Sequence, residues 1–137
     1  MEISRYIGYD EAEILQLYSS VGWTSYTELP EMLKKAFEGS LAVLAAYESG
    51  RLAGIIRLVG DGVSIVYIQD LLVHPEYQRR GIGSQLIREA LRLYPDIYQT
   101  VLMTDDTEKT KSFYTSNGFL DASDMNISGF IRIHRKD

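Results

Sequence analysis

The chain contains no cysteine. Disulfides, cysteine metal ligands and a cysteine nucleophile are excluded, and the redox compartment is left open. It has only two histidines, His74 and His134, far apart in the sequence, so a metal centre has no evident ligand set. Long apolar runs are missing as well. The longest, Leu41 to Tyr47, falls well short of the roughly 20 residues that cross a bilayer. The start, Met1-Glu2-Ile3-Ser4-Arg5, lacks the basic-then-apolar layout of a signal peptide. There is no excess of basic residues. A net charge of −5 argues against a nucleic-acid backbone as the main partner and leans towards a cationic small molecule. These absences point to a cytoplasmic protein that binds neither membrane nor nucleic acid.

At 137 residues, 45% hydrophobic and 24% charged, the chain reads as one ordinary globular domain. Ile3 to Ile7 reads as a short strand. Asp10 is an N-cap for a helix over Glu11 to Ser20, with Ile14, Leu17, Tyr18 and Val21 on one face. Gly22 to Tyr26 reads as a loop. A second helix follows from Pro30 to Phe37, with Leu29, Met32, Leu33, Ala36 and Phe37 inward. Leu41 to Glu48 and Leu52 to Val59 form a hairpin around Ser49-Gly50. Val63 to Val73 is a long central strand, apolar on both faces.

A third helix is expected from Gly81 to Leu93, with Ile82, Leu86, Ile87, Ala90 and Leu91 as its buried stripe and Pro95 stopping it. A strand over Ile97 to Met103, a helix over Thr107 to Asn117, a strand from Phe119 and a last strand over Ile127 to His134 complete the pattern. The fold class is α/β with a mixed sheet, in the order β-α-α-β-β-β-α-β-α-β-β.

Between the central strand and the third helix lies Gln78-Arg79-Arg80-Gly81-Ile82-Gly83-Ser84. A helix start presents backbone N–H groups with no partner inside the helix, together with the positive end of the macrodipole. Glycines let a charged group approach that backbone closely. The turn therefore suits an anion, most naturally a phosphate or pyrophosphate.

Three features now stand in order: a strand ending Leu71-Leu72-Val73, the turn from Gln78 to Ser84, and a helix carrying Phe113-Tyr114 ahead of Asn117-Gly118-Phe119. Together they resemble the GCN5-related N-acetyltransferase (GNAT) superfamily, whose Gln/Arg-x-x-Gly-x-Gly/Ala and Phe-Tyr-x-x-x-Gly-Phe patterns they match over Val63 to Phe119. The resemblance implies acetyl-CoA as co-substrate and no metal. It implies that the Arg79, Arg80, Gly81, Ile82, Gly83 and Ser84 backbone holds the pyrophosphate, with Gln78 opening the turn. Leu71 and Val73 would offer main-chain groups to the pantetheine arm. An N–H near Leu72 or Val73 would stabilise the oxyanion, and Tyr114 would protonate the departing thiolate.

Two positions depart from the family pattern. Thr107 stands where family members often carry an asparagine that contacts coenzyme A. In the central strand Gln69 cannot take a proton, and Asp70, on the opposite face by strand alternation, is the candidate base or amine anchor. Asp105 and Asp106 read as helix caps, His74 as structural, and Lys34-Lys35 and Arg135-Lys136 as solvated pairs. Trp23 and Tyr26 lie in a loop that commonly borders the acceptor in this fold; packing is their leading reading and a substrate lid the alternative.

The leading reading is an N-acetyltransferase acting directly on a primary amine of a small molecule or peptide. The alternative is a catalytically silent sensor or interaction module that holds coenzyme A. A monomer and a homodimer are both compatible with the sequence.

Overall fold

The computed structural model describes Met1 to His134; the Arg135-Lys136 pair lies outside the described residues. The chain divides into two compact units, Met1–Leu102 and the segment from Met103 onward.

The first unit is a five-stranded mixed sheet carrying four helices. Its elements are β1 (Glu2–Arg5), α1 (Glu11–Ser20), α2 (Thr24–Thr27), α3 (Pro30–Glu38), β2 (Ala42–Glu48), β3 (Arg51–Gly60), β4 (Ile65–Val73), α4 (Ile82–Leu93) and β5 (Gln99–Leu102). The strands lie in sequence order, antiparallel from β1 to β4, with β5 added parallel to β4. A parallel neighbour needs a crossover, and α4 provides it.

Local chemistry fixes most boundaries. The Asp10 side chain caps α1 by accepting from Glu13 N–H. Ser49 and Gly50 both take positive φ, 51° and 78°, as a two-residue hairpin turn requires. Asp61 accepts from the N–H groups of Val63, Ser64 and Ile65, which draws Val63 and Ser64 into a turn and delays β4 to Ile65. The expected loop at Gly22 to Tyr26 is replaced from Thr24 onward by the short α2. There Glu28 N–H bonds back to Thr24 O at 2.9 Å, and the Trp23 and Tyr26 rings pack on Tyr18.

Alternation along β2 and β3 directs two apolar layers. Ala45, Ile55 and Leu72 pack with Ile14, Leu17, Tyr18, Leu33 and Phe37 of α1 and α3. The other face meets α4, through Ile82, Leu86, Ile87 and Ala90. Gly54 lies under that helix: a Cβ there would sit 2.7 Å from Leu72 O and 3.4 Å from Leu86 Cδ1, so the close packing needs glycine. Two inward expectations fail. Met32 and Leu91 are each about one helical step off the buried rows Leu33–Phe37 and Leu86–Ala90, and both are exposed.

The second unit holds α5 (Glu108–Ser116), followed by a 3-10 turn at Ala122–Met125. The two strands expected from Phe119 and over Ile127 to His134 are absent among the described residues. The reason is local. Asp121 accepts from both the N–H and the hydroxyl of Ser123, at 3.0 and 2.7 Å, and Asn126 takes a left-handed φ of 61°. Ile127 N–H then returns to Ala122 O at 2.9 Å. These bonds commit the backbone to a turn in place of a ladder.

Candidate active site

The site begins with an irregularity in the sheet. Arg57 pairs with Asp70, but its neighbour Leu58 pairs with Ile68, so Gln69 is an extra residue in β4. Such a bulge bends the strand and re-aims side chains. It falls where β4 and β5 part. Their ladder runs from Ile65–Gln99 to Ile68–Leu102 and stops. Gln69 to Val73 continue along β3 with no strand on the β5 side. Beyond Ile68 the outer edge of β4, over Leu71, Leu72 and Val73, thus has no strand partner among the described residues.

That edge leads into the turn. His74 caps the 3-10 turn Pro75–Tyr77, its Nδ1 accepting from Glu76 N–H at 3.1 Å, as its structural reading implied. The Gln78 amide reaches back and donates to Val73 O at 3.0 Å. Gln78 therefore fastens the turn to the strand end and occupies one of the carbonyls there. The guanidinium of Arg80 lies over the Tyr77 ring, 5.4 Å from its centroid.

Arg79 and Gly81 both adopt left-handed backbone, φ 65° and 77°. Left-handed residues interspersed in a turn gather successive N–H groups into an anion-binding concavity. Gly81 is the N-cap of α4 and offers no side chain to its amides, and the first backbone bond inside the helix is Gln85 N–H to Gly81 O. A Cβ on Gly81 would meet nothing within 4 Å, so the turn is open on that side. Ile82 is buried and anchors the helix start, while Gly83 and Ser84 are half-buried. This arrangement suits the diphosphate of a nucleotide-like co-substrate.

On the α1 face of β4 lies a buried polar cluster. Asp70 is 2% exposed and Arg57 4%. Asp70 Oδ2 accepts from Arg57 Nε at 2.7 Å and from the Tyr18 hydroxyl at 2.8 Å. Its Oδ1 faces the Tyr26 hydroxyl at 3.4 Å. Arg57 also reaches Ser40 Oγ at 3.3 Å and lies over the Phe37 ring. Burial, then the Asp70 charge and hydrogen bond, push the Tyr18 phenol far above its ordinary range. Burial alone would lower Arg57, but the facing carboxylate reverses the sign and raises it. Asp70 is thus held as an ion-paired hydrogen-bond acceptor. The bulge also corrects the expectation that Gln69 and Asp70 serve opposite sides, since both side chains reach Tyr26.

Sequence reading did not find Arg57, and it placed Tyr18 on the inward face of α1 with no role in the site. The available signal was an arginine inside the apolar run Ile55-Ile56-Arg57-Leu58, opposite an aspartate in the apolar run of β4.

In the second unit Tyr114 is half-buried and packs edge-on against Phe113 and Phe119 at 5.0 and 5.8 Å. Burial, with a smaller contribution from the Asp105 charge, raises its phenol above the ordinary value. It therefore carries its proton at neutral pH. Thr107 is the N-cap of α5, accepting from Thr110 N–H at 3.2 Å. This displaces Asp105 and Asp106 from the capping role expected of them. Asp105 instead accepts from Thr104 and Thr110, and Asp106 pairs with Lys111 at 2.7 Å. Among the described residues no group of three metal-ligating side chains forms, and no helix is long and apolar enough to cross a membrane.

A family model described as an acetyltransferase (GNAT) domain matches residues 12–135. The chain belongs to the GNAT family. Relatives agree with the assignment. An uncharacterised ycf52-like N-acetyltransferase of Prochlorococcus marinus is 35% identical over 116 residues, which is 80% of this GNAT chain and 62% of that protein. The chain thus spans less than two thirds of that relative's length. Among solved structures, a GNAT-family acetyltransferase from Streptococcus pneumoniae TIGR4 is 43% identical, with a TM-score of 0.88 and 98% of each chain covered. An aminoglycoside acetyltransferase from a soil metagenome, solved with sisomicin, shares the GNAT fold at 18% identity, with a TM-score of 0.70 over 98% of this chain and 95% of that one.

Proposed function

We propose that this GNAT chain transfers an acetyl group from acetyl-CoA directly to a primary amine. The observation that carries the reading is the parting of β4 from β5 after Ile68, which leaves an unpaired strand edge running straight into the uncapped start of α4. An extended arm ending in a diphosphate needs those two features in that order. Leu71 and Val73 would pair with the pantetheine amides, and the amides of Arg79 to Ser84 would hold the diphosphate.

Coenzyme A brings an acyl group already activated as a thioester, so the chain need only orient and move protons. A neutral amine nitrogen attacks the carbonyl carbon. Charge collects on the carbonyl oxygen, where a backbone N–H near Leu72 or Val73 would stabilise it. The C–S bond then breaks. By the family resemblance Tyr114 gives its proton to the thiolate, and its raised phenol keeps that proton available. The proton released by the amine passes through solvent and restores the Tyr114 phenol, so the products are the acetamide and the free thiol. Thr107 contributes by capping the helix that carries Tyr114. Asp70, the candidate base or amine anchor, is ion-paired with Arg57 and acts on the amine through the Tyr26 hydroxyl that it faces. The reading places the reaction in the cytoplasm, with a small-molecule or peptide amine as acceptor.

Calorimetric titration with acetyl-CoA and a thiol-release assay over a panel of amines test this. Saturable binding with amine-dependent thiol release is expected. Binding without release on any amine would make the chain a coenzyme A sensor, and no binding at millimolar acetyl-CoA would remove the reading.

A further inference from the structure

The buried Asp70–Arg57 pair reaches outward through Asp70 Oδ1. Oδ2 of Asp70 is filled by Arg57 and Tyr18, whereas Oδ1 meets the Tyr26 hydroxyl at 3.4 Å. Tyr26 is half-buried, on the short α2, and its ring is held edge-on by Tyr18 at 5.4 Å. Its hydroxyl also lies 3.5 Å from the Gln69 amide nitrogen. Gln69 is exposed, and it is the first residue of β4 beyond the β5 ladder. The Tyr26 oxygen therefore stands at the mouth of the opening between the two strands, joined on one side to a buried carboxylate.

A phenol hydroxyl has one proton and two acceptor positions. Here the proton points to Asp70 Oδ1, and the Gln69 amide takes at most one acceptor position. Both contacts are at the long end of hydrogen-bonding distance, so a stronger donor competes well for the oxygen. A primary ammonium or amine supplies such a donor. Donation to a carboxylate polarises the phenol and makes its oxygen a better acceptor. A carboxylate placed directly in the opening would hold an ammonium charged and unreactive. A phenol backed by an ion-paired carboxylate binds the N–H without holding the proton.

We infer that Tyr26 binds the acceptor amine, its oxygen accepting an N–H from the substrate nitrogen, and that Asp70 and Arg57 are positioning residues that orient that hydroxyl. The inference deepens the acetyl-transfer reading by naming the group that meets the acceptor, and it selects ligands with at least one N–H on a basic nitrogen.

The sole tryptophan, Trp23, lies 6.3 Å from Tyr26, ring centre to ring centre, and reports on this spot. Its fluorescence is titrated with putrescine as the primary-amine probe and with choline as a cation that has no N–H. In the wild type putrescine should give a saturable change and choline none at equal ionic strength. Tyr26→Phe keeps the ring packing and removes only the oxygen. It should weaken putrescine about 10-fold, the worth of a hydrogen bond to a charged donor, while the affinity for acetyl-CoA by calorimetry stays unchanged and the chain still unfolds in one cooperative transition. Gln69→Ala should retain saturable putrescine binding. Equal putrescine affinity in wild type and Tyr26→Phe, an equal response to choline, or no saturation in the wild type would each overturn the inference. Failure of acetyl transfer would show separately, as absent acetyl-CoA binding or thiol release with the fluorescence response intact.

Discussion

Arg57 Nε and Asp70 Oδ2 meet at 2.7 Å across β3 and β4, with side chains only 5% and 1% exposed. Two opposite charges in adjacent apolar strands hold each other where neither would be tolerated alone. Asp70 adds the Tyr18 hydroxyl and Arg57 adds Ser40 Oγ, so several of their remaining hydrogen-bonding positions are filled. Removing one partner leaves the other charged and buried. Arg57→Met should cost about 3–5 kcal/mol, against a much smaller loss for an apolar double replacement of similar volume. Urea unfolding of the single and double variants measures both. A single-variant loss below about 1 kcal/mol would show that the pair is not desolvated as the structure has it.

Asp61 shows how an exposed carboxylate can order a turn. Hydrogen bonds from the Ser64 hydroxyl and from the N–H groups of Val63, Ile65 and Ser64 hold its carboxyl well below the ordinary 3.8. A folded-state value below the unfolded one gives stability that is present above the unfolded value and lost as pH falls through the folded one. The melting-temperature gap between wild type and Asp61→Ala should therefore be constant near neutrality and close progressively below about pH 4. A gap that stays constant down to pH 2 would mean the turn does not depend on the ionised carboxylate.

The sheet and its helices were legible because their signals are local and periodic. Asp10 capped the helix it was expected to cap, Ser49-Gly50 turned the hairpin, and Ile82, Leu86, Ile87 and Ala90 faced inward. What escaped depends on partners distant in sequence. Nothing near Arg57 announces Asp70, and the bulge at Gln69 exists only in the pairing of two strands. The strands expected after Phe119 failed for the converse reason. Their apolar alternation is real, but Asp121 and Asn126 set a local turn that no periodicity count weighs. Of the candidate site residues, the turn from Gln78 to Ser84 was readable from composition, whereas the link from Asp70 to Tyr26 needed three-dimensional distances.

Tyr114→Phe tests the proton donor. Loss of a positioned general acid should lower kcat about 100-fold or more while acetyl-CoA affinity stays near wild type. The pH dependence has a definite sign. Burial and the Asp105 charge raise the phenol, so the acid form persists as pH rises, and its loss should not limit the rate below about pH 10. Asp105→Asn removes the second of these causes and should move any alkaline limb to lower pH. An alkaline limb that survives unchanged in Tyr114→Phe would belong to another group, and the assignment would fall.

The turn itself makes the last prediction, because its two left-handed residues bear different costs. Gly81, at φ 77°, has open space where a Cβ would sit, so Gly81→Ala creates no collision and should cost only about 1–2 kcal/mol, from backbone strain. Arg79 already bears such strain at φ 65°, so Arg79→Gly should stabilise the fold by a similar amount, less the entropy glycine adds to the unfolded chain. If the amides from Arg79 to Ser84 hold a diphosphate, the two readouts separate. Arg79→Gly should raise the unfolding free energy and weaken acetyl-CoA through the lost positive charge, more so at low salt. Gly83→Leu, inside the first turn of α4, should weaken acetyl-CoA by crowding the approach to the backbone, with a cooperative unfolding transition as the control for folding. Full acetyl-CoA affinity in both variants would show that the diphosphate is held elsewhere.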